Sequence, residues 1–164
     1  MIFVTVGTHE QQFNRLIREV DELKGSGIIC EDVIIQTGYS TYKPQFCEFE
    51  KLYSYDQMCE YVSSADITIT HGGPSSFIMP LQFGKIPIVV PRQKKFDEHV
   101  NNHQIDFSIA VNERFGNIIV LQNIKDLKDT LLRYEDITEE MSKITWSNNK
   151  QFNDDIERIV NEMF

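Results

Sequence analysis

"ADITITHGGPSSFIMPLQFGKIPIVVPR" (residues 65–92) decides the fold. Within it "DITIT" (66–70) is a short β-branched run, "PSSFIMPLQFG" (74–84) reads as a helix closed by Gly84, and "IPIVVP" (86–91) is a second apolar run closed by Pro91. Apolar strands separated by helices are the pattern of a parallel sheet between helix layers, because parallel strands need a crossover and strands covered on both faces read as apolar throughout. The same alternation continues outward. Towards the start lie the strand "IFVTV" (2–6), a helix over 12–24 with Phe13, Leu16, Ile17, Val20 and Leu23 on one face, and the strand "DVIIQTG" (32–38). A third strand over 47–53 and a short helix over 54–65, capped by Ser54 or Asp56, complete that half. Towards the end the pattern predicts a helix over 97–110, a strand over 117–122, a helix over 123–134, a polar loop over 135–150 and a final helix over 149–163. The predicted class is α/β: a doubly wound, Rossmann-like parallel sheet forming one domain over residues 1–164.

Charge bounds the partners. The 16 basic residues against 25 acidic ones leave a net charge of −9, so nucleic acid and anionic lipid are not expected as sequence-wide partners. A polyanionic ligand has to be met locally. Cys30, Cys47 and Cys59 fall at no metal-like spacing, and their odd number suits a reducing cytoplasm. The opening "MIFVTVGTHE" has no basic region before its apolar run, so no signal peptide is expected. No stretch approaches the ~20 apolar residues of a membrane span, so the chain is expected to be cytoplasmic or held at a membrane by another molecule.

In such a sheet, ligands bind beyond the carboxyl ends of the strands, where the strand order reverses. The expected site is therefore assembled from "GTHE" (7–10), "TGYS" (37–40), "YSYDQM" (53–58), "HGGPSS" (71–76) and "RQKKFDEHVNNHQ" (92–104). In the fourth of these, a helix start offers unpaired amides and a partial positive charge to a phosphate. Gly72 and Gly73 permit close approach, Pro74 suits the first helical position, and Ser75 and Ser76 add hydroxyls. A plain tight turn would use the same residues. Arg92, Lys94 and Lys95 form the densest basic cluster of an acidic chain, and either a solvated loop or an anion site accounts for it. His99 and His103, four apart on the predicted helix, could face one metal, but no further ligand frame accompanies them. His9, two residues past Gly7, is either a general base or a hydrogen-bonding histidine. "GTHE" lacks the GxGxxG dinucleotide fingerprint.

Taken together, "FVTVGTHEQQFNRL", "IIQTGYS", "ADITITHGGPSSFIMPLQFGKIPIVVPR" and "EHVNNHQ" resemble the nucleotide-sugar-binding half of GT-B glycosyltransferases, the C-terminal-domain type of glycosyltransferase family 28. The resemblance is closest to small subunits that pair with a membrane-anchored subunit, in dolichol-linked oligosaccharide assembly and in bacterial capsule or exopolysaccharide synthesis. It implies that His71, Gly72, Gly73, Pro74, Ser75 and Ser76 hold a donor diphosphate, while Tyr53, Tyr55 and Met58 line the uracil and Gly38 lies in the second loop of the site. Asn102, His103 and Gln104 would approach the donor sugar or its phosphates, Thr8 and His9 would face the acceptor, and Arg92 would steady the departing UDP.

Two departures stand out. The family has a glutamate for the ribose hydroxyls where this chain has Met79, followed by Pro80, which removes an amide donor and is expected to distort the helix. "GKIP" is one residue longer than the family's "GKP", which is expected to displace Arg92 and its neighbours.

The expectation is thus an inverting hexosyltransferase subunit in capsular or exopolysaccharide synthesis. It would take a UDP-sugar as donor substrate, need neither cofactor nor metal, and act on a lipid-diphosphate-linked saccharide. A membrane-anchored subunit would supply the acceptor half at the inner face of the cell membrane. The apolar stripe Phe152, Ile156, Ile159, Val160 and Met163 would either meet that half or cover its own sheet. The alternative is a non-catalytic companion that enhances a separate transferase.

Overall fold

The computed structural model describes residues 1–142. Six strands, β1 (Ile2–Thr5), β2 (Val33–Gln36), β3 (Glu48–Glu50), β4 (Ile67–His71), β5 (Ile88–Val90) and β6 (Ile119–Val120), form one sheet in the order β3-β2-β1-β4-β5-β6. Every pairing is parallel, with Val4 opposite both Ile35 and Ile69. That is the doubly wound order, and its direction reverses between β1 and β4.

Strand alternation divides the core. Ile2 and Val4, with Val33, Ile35, Ile69, Ile88 and Val90, pack on α1 (Asn14–Gly25) and on Leu127 of α5 (Leu127–Leu132). Phe3 and Val89 face the other way, onto α2 (Tyr55–Ser64), α3 (Pro74–Gln82) and α4 (His103–Phe115). A strand buried on both faces cannot show a polar alternation, which is why these segments read as uniformly apolar.

Local signals set most boundaries. Ser54 caps α2 in a reciprocal capping box with Gln57. α3 begins at Pro74 and runs through Pro80 to Gln82, so that proline does not end the helix. Gly84, at φ 70°, follows it.

Three expectations need correcting. The helix expected over 97–110 starts only at His103. Before it, a 3-10 turn over Lys94–Phe96 ends on Asp97 in the left-handed region at φ 55°, and Asn101 Oδ1 accepts the His103 amide, so side-chain bonds take over amides that a helix would need. The loop expected over 135–150 is helical over 134–142, where Tyr134 is anchored by donating its hydroxyl to Ile86 O at 2.6 Å. The strand expected over 117–122 keeps its ladder only at Ile119 and Val120. The expected helix over 149–163 and its apolar stripe lie outside the described residues.

Candidate functional site

At the carboxyl edge of the sheet, the loops after β1 and β4 enclose a cleft of ≈ 500 Å³. Its floor is Thr5, Gly7, Gln36 and His71; one wall is Thr8 and His9, and the other is Tyr53, Tyr55 and Met58. Ser75, Ser76 and Met79 of α3 and Gln104 of α4 complete it. A groove of ≈ 630 Å³ opens at the opposite edge, around Ile28, Ile29 and Leu131, but Glu31, Asp66, Glu135 and Asp136 line it, and that charge repels an anion.

The start of α3 has no side-chain cap. Gly73 is its N-cap in extended conformation, and Pro74 occupies the first position. The Gly72 amide donates to Gln104 Oε1 at 3.1 Å, and that of Ser76 to Gly73 O at 3.0 Å. The amides of Gly73 and Ser75 belong to the turn that has no intrahelical acceptor.

His71 fixes this geometry from below. Its imidazole is only 8% exposed, and a Cβ on Gly73 or on Gly7 would stand 2.3 Å from a ring atom. Both glycines are therefore required by the histidine, and Gly7 also sits at φ 74°. Burial, and then the charge of Arg92, push the His71 pKa down to about 3 against the opposing pull of the Thr5 backbone, so the ring is neutral.

His9 stands on the rim. Its Nδ1 accepts the Gln11 amide at 3.2 Å, and its ring lies 4.8 Å from that of His99. His99 is held in the same way, by the amide of Asn101 at 3.3 Å. Burial, then Arg92 and His99, lower the pKa of His9 below the usual histidine value, with Glu10 opposing.

On the opposite wall a chain of hydrogen bonds joins three strand ends. Gln36 Oε1 accepts the Tyr53 amide at 3.0 Å, Gln36 Nε2 donates to Thr5 Oγ1 at 3.0 Å, and Thr5 Oγ1 also accepts the Gly7 amide at 3.2 Å. Tyr53 packs edge-on to Tyr61 at 4.9 Å, while Tyr55 is 71% exposed. Sequence reasoning missed Thr5 and Gln36. The available signal was a polar residue at the carboxyl end of an otherwise apolar strand.

Arg92 requires correction. It is fully buried, with Nη1 donating to the carbonyls of Gln11 (2.9 Å), Gln12 (3.0 Å) and Glu98 (3.1 Å), and Nη2 to Val6 O (2.9 Å). Burial lowers its pKa to about 10 against the pull of Glu98. It ties the β1 loop to the β5 loop and does not line the cleft. Lys94 and Lys95 are on the exposed 3-10 turn, outside the cleft.

Gly38, Gly72, Gly73, Pro74, Asn102 and His103 also do not line the cleft. Gly38, at φ 56°, lets the β2 loop pass Gly7, whose carbonyl oxygen would be 2.8 Å from an added Cβ. Asn102 is the N-cap residue of α4 and accepts the Lys94 amide at 3.0 Å, and His103 is exposed at the helix start. Gln104 alone of that segment reaches in, with Oε1 accepting from both Gly72 and Arg92. His99 and His103 share no helix face, since only His103 lies on α4.

Known proteins were compared with this architecture. The chain superposes on the glycotransferase of kitacinnamycin with a TM-score of 0.63 at 15% identity, covering 96% of this chain and 42% of that one. It superposes on the glycosyltransferase SnogD from Streptomyces nogalater with a TM-score of 0.50 at 15% identity, covering 93% of this chain and 42% of the other. The chain thus spans less than half the length of either. Among curated proteins, none matches it by sequence. The family model of the glycosyltransferase family 28 C-terminal domain matches residues 1–159, and the chain belongs to that family.

Proposed function

We propose that this chain is the donor-binding half of a hexosyltransferase that takes a UDP-sugar and works with a membrane-anchored subunit carrying the acceptor site. The carrying observation is that Ser75 and Ser76, in the uncapped first turn of α3, Thr8, and the aromatic wall of Tyr53 and Tyr55 line one cleft at the β1–β4 reversal. Its ≈ 500 Å³ falls in the range of small-molecule sites, ~300–1,000 Å³. The diphosphate lies on the amides of α3, the uracil on the tyrosine wall, and the sugar points towards Thr8 and His9.

In the reaction, the acceptor oxygen bonds to the anomeric carbon from the face opposite the diphosphate, with inversion. The bond from that carbon to the diphosphate oxygen breaks, its electron pair leaves on UDP, and the acceptor proton passes to a base. Amides and hydroxyls of this chain meet the charge on the departing UDP. The acceptor is a lipid-diphosphate-linked saccharide of capsular or exopolysaccharide synthesis, reached at the inner face of the membrane through the partner. Among the described residues no helix is long and apolar enough to cross a membrane.

A second reading has its own observation. Met79 lines the cleft where a carboxylate would grip ribose, and Arg92 is turned inward, so a non-catalytic companion of another transferase is the rival. Calorimetric titration with UDP, followed by sugar transfer with the membrane subunit co-expressed, decides between them. Saturable binding abolished by Gly73→Asp and weakened by Ser75→Ala, together with transfer, supports the first. No UDP binding even by the pair supports the second.

A further inference from the structure

Two imidazoles line the cleft, and in that of His9 the two nitrogens have different fates. His9 Nδ1 accepts the backbone amide of Gln11, two residues on, so in this geometry that nitrogen carries a lone pair. A neutral imidazole with its lone pair at Nδ1 carries its proton at Nε2. A general base needs the reverse, a lone pair facing the acceptor hydroxyl. Protonating Nδ1 would also break the Gln11 bond and place a cation beside Arg92 and His99, whose influence already lowers the His9 pKa, with Glu10 the opposing charge.

Three features hold the ring in this state. The Gln11 amide fixes one edge, the His99 ring lies 4.8 Å away at an interplanar angle of 39°, and His99 is itself locked by the Asn101 amide. The loop that carries Gln11 is pinned by Arg92, which donates to the Gln11 and Gln12 carbonyls. The loops after β1 and β5 thus meet in a pair of imidazoles that each use Nδ1 as acceptor, and His9 lines the same cleft as Ser75 and Ser76.

Resting on the reading of the cleft as a UDP site, we infer that His9 donates its Nε2 proton to an anionic oxygen of the bound diphosphate and is not the base. His99 is a positioning residue that holds the ring flat for that contact. His9 then belongs to the charge-stabilising side of the reaction, and the base that receives the acceptor proton is another group.

The test combines binding and tautomer. A glutamine places its side-chain NH₂ near the Nε2 of a histidine but cannot act as a base. At pH 7.5, UDP should bind His9→Gln within about threefold of wild type and His9→Ala at least about tenfold more weakly, as expected for one hydrogen bond to a charged group. Nitrogen-15 spectra of the imidazoles should show the neutral His9 ring of the full chain protonated at Nε2, and His99→Ala should let the Nδ1–H form appear. A His9 protonated at Nδ1 in the wild type, or His9→Ala binding UDP as tightly as wild type, overturns the inference and leaves the UDP site standing. His9→Gln as weak as His9→Ala overturns it as well. Failure of the wild-type chain to bind UDP at all removes both the site and the contact.

Discussion

The His71 imidazole occupies the space a side chain on Gly73 would need: a Cβ there lies 2.3 Å from Nε2. The backbone of Gly73 is ordinary at φ −77°, so the glycine answers to packing and not to dihedral strain. A buried ring cannot yield without moving its neighbours, and Gly7 presses on the same ring from the β1 side. The helix start that faces the cleft is thereby set by a histidine beneath it.

Gly73→Ala should cost about 1–3 kcal/mol of stability, the range for overpacking a core, and should weaken UDP binding by displacing the first turn of α3. Combining it with His71→Ala should recover part of the alanine's cost, because the clash partner is gone. A double-mutant cycle by chemical denaturation reads this as a coupling between the two positions. Purely additive effects would mean that the two side chains do not meet.

Acid should destabilise the chain well before its carboxylates titrate. His71 is held down to about 3 against 6.5 for a free histidine, so between those values the unfolded chain binds a proton that the fold refuses. Stability then rises with pH across the window and is lost as pH falls through it, by up to about 1.4 kcal/mol per pH unit for one proton. Asp21, whose pKa is lowered below 3.8 by the amides of Gln45 and Phe46 and by the Tyr42 hydroxyl despite the upward push of burial, adds to the loss only at lower pH. Unfolding free energies measured between about pH 6 and pH 4.5 should show this slope in the wild type and a much flatter one in His71→Gln.

The amphipathic spacing of Leu16, Ile17, Val20 and Leu23 and the short apolar strands made the sheet legible, because period and burial are local properties of sequence. The Gly-Gly-Pro-Ser-Ser turn was legible for a similar reason: a helix start has a composition. Arg92 was not. A basic residue beside two lysines reads as surface charge, and only the arrival of the Val6, Gln11 and Gln12 carbonyls from the β1 loop turns it into an internal strut. Contacts between loops distant in sequence leave no periodic trace. Asp97 and Asn101 escaped for a different, local reason: a left-handed residue and a side-chain bond two residues on delay α4 to His103 without disturbing the helical period.

Gln104 separates stability from binding. Its Oε1 accepts the amides of Gly72 at 3.1 Å and Arg92 at 3.0 Å, joining the β4 and β5 loops. Gln104→Ala leaves both amides without that acceptor and should lower stability by about 1–3 kcal/mol. Gln104→Glu can still accept both bonds, so its thermal stability should stay near wild type. Its carboxylate, however, stands beside the helix start proposed to hold the diphosphate, and UDP affinity should fall at least tenfold, about 1.4 kcal/mol. Equal UDP affinity in wild type and Gln104→Glu would place the diphosphate elsewhere.

Met79 marks where the ribose is expected. Its side chain lines the cleft on the same side as Ser75 and Ser76, and also packs against the Phe3, Val62 and Ala65 cluster. A thioether offers the ribose hydroxyls almost nothing as an acceptor, whereas a carboxylate accepts two hydrogen bonds. Met79→Glu should therefore tighten UDP binding about tenfold, the effect of a hydrogen bond to a charged group, while losing some stability from the apolar contact. Titration with 2′,3′-dideoxy-UDP isolates the cause: it should bind the variant no better than wild type, because the hydroxyls that the new carboxylate would grip are missing. A folded Met79→Glu chain that gains nothing for UDP would mean that the ribose does not reach α3.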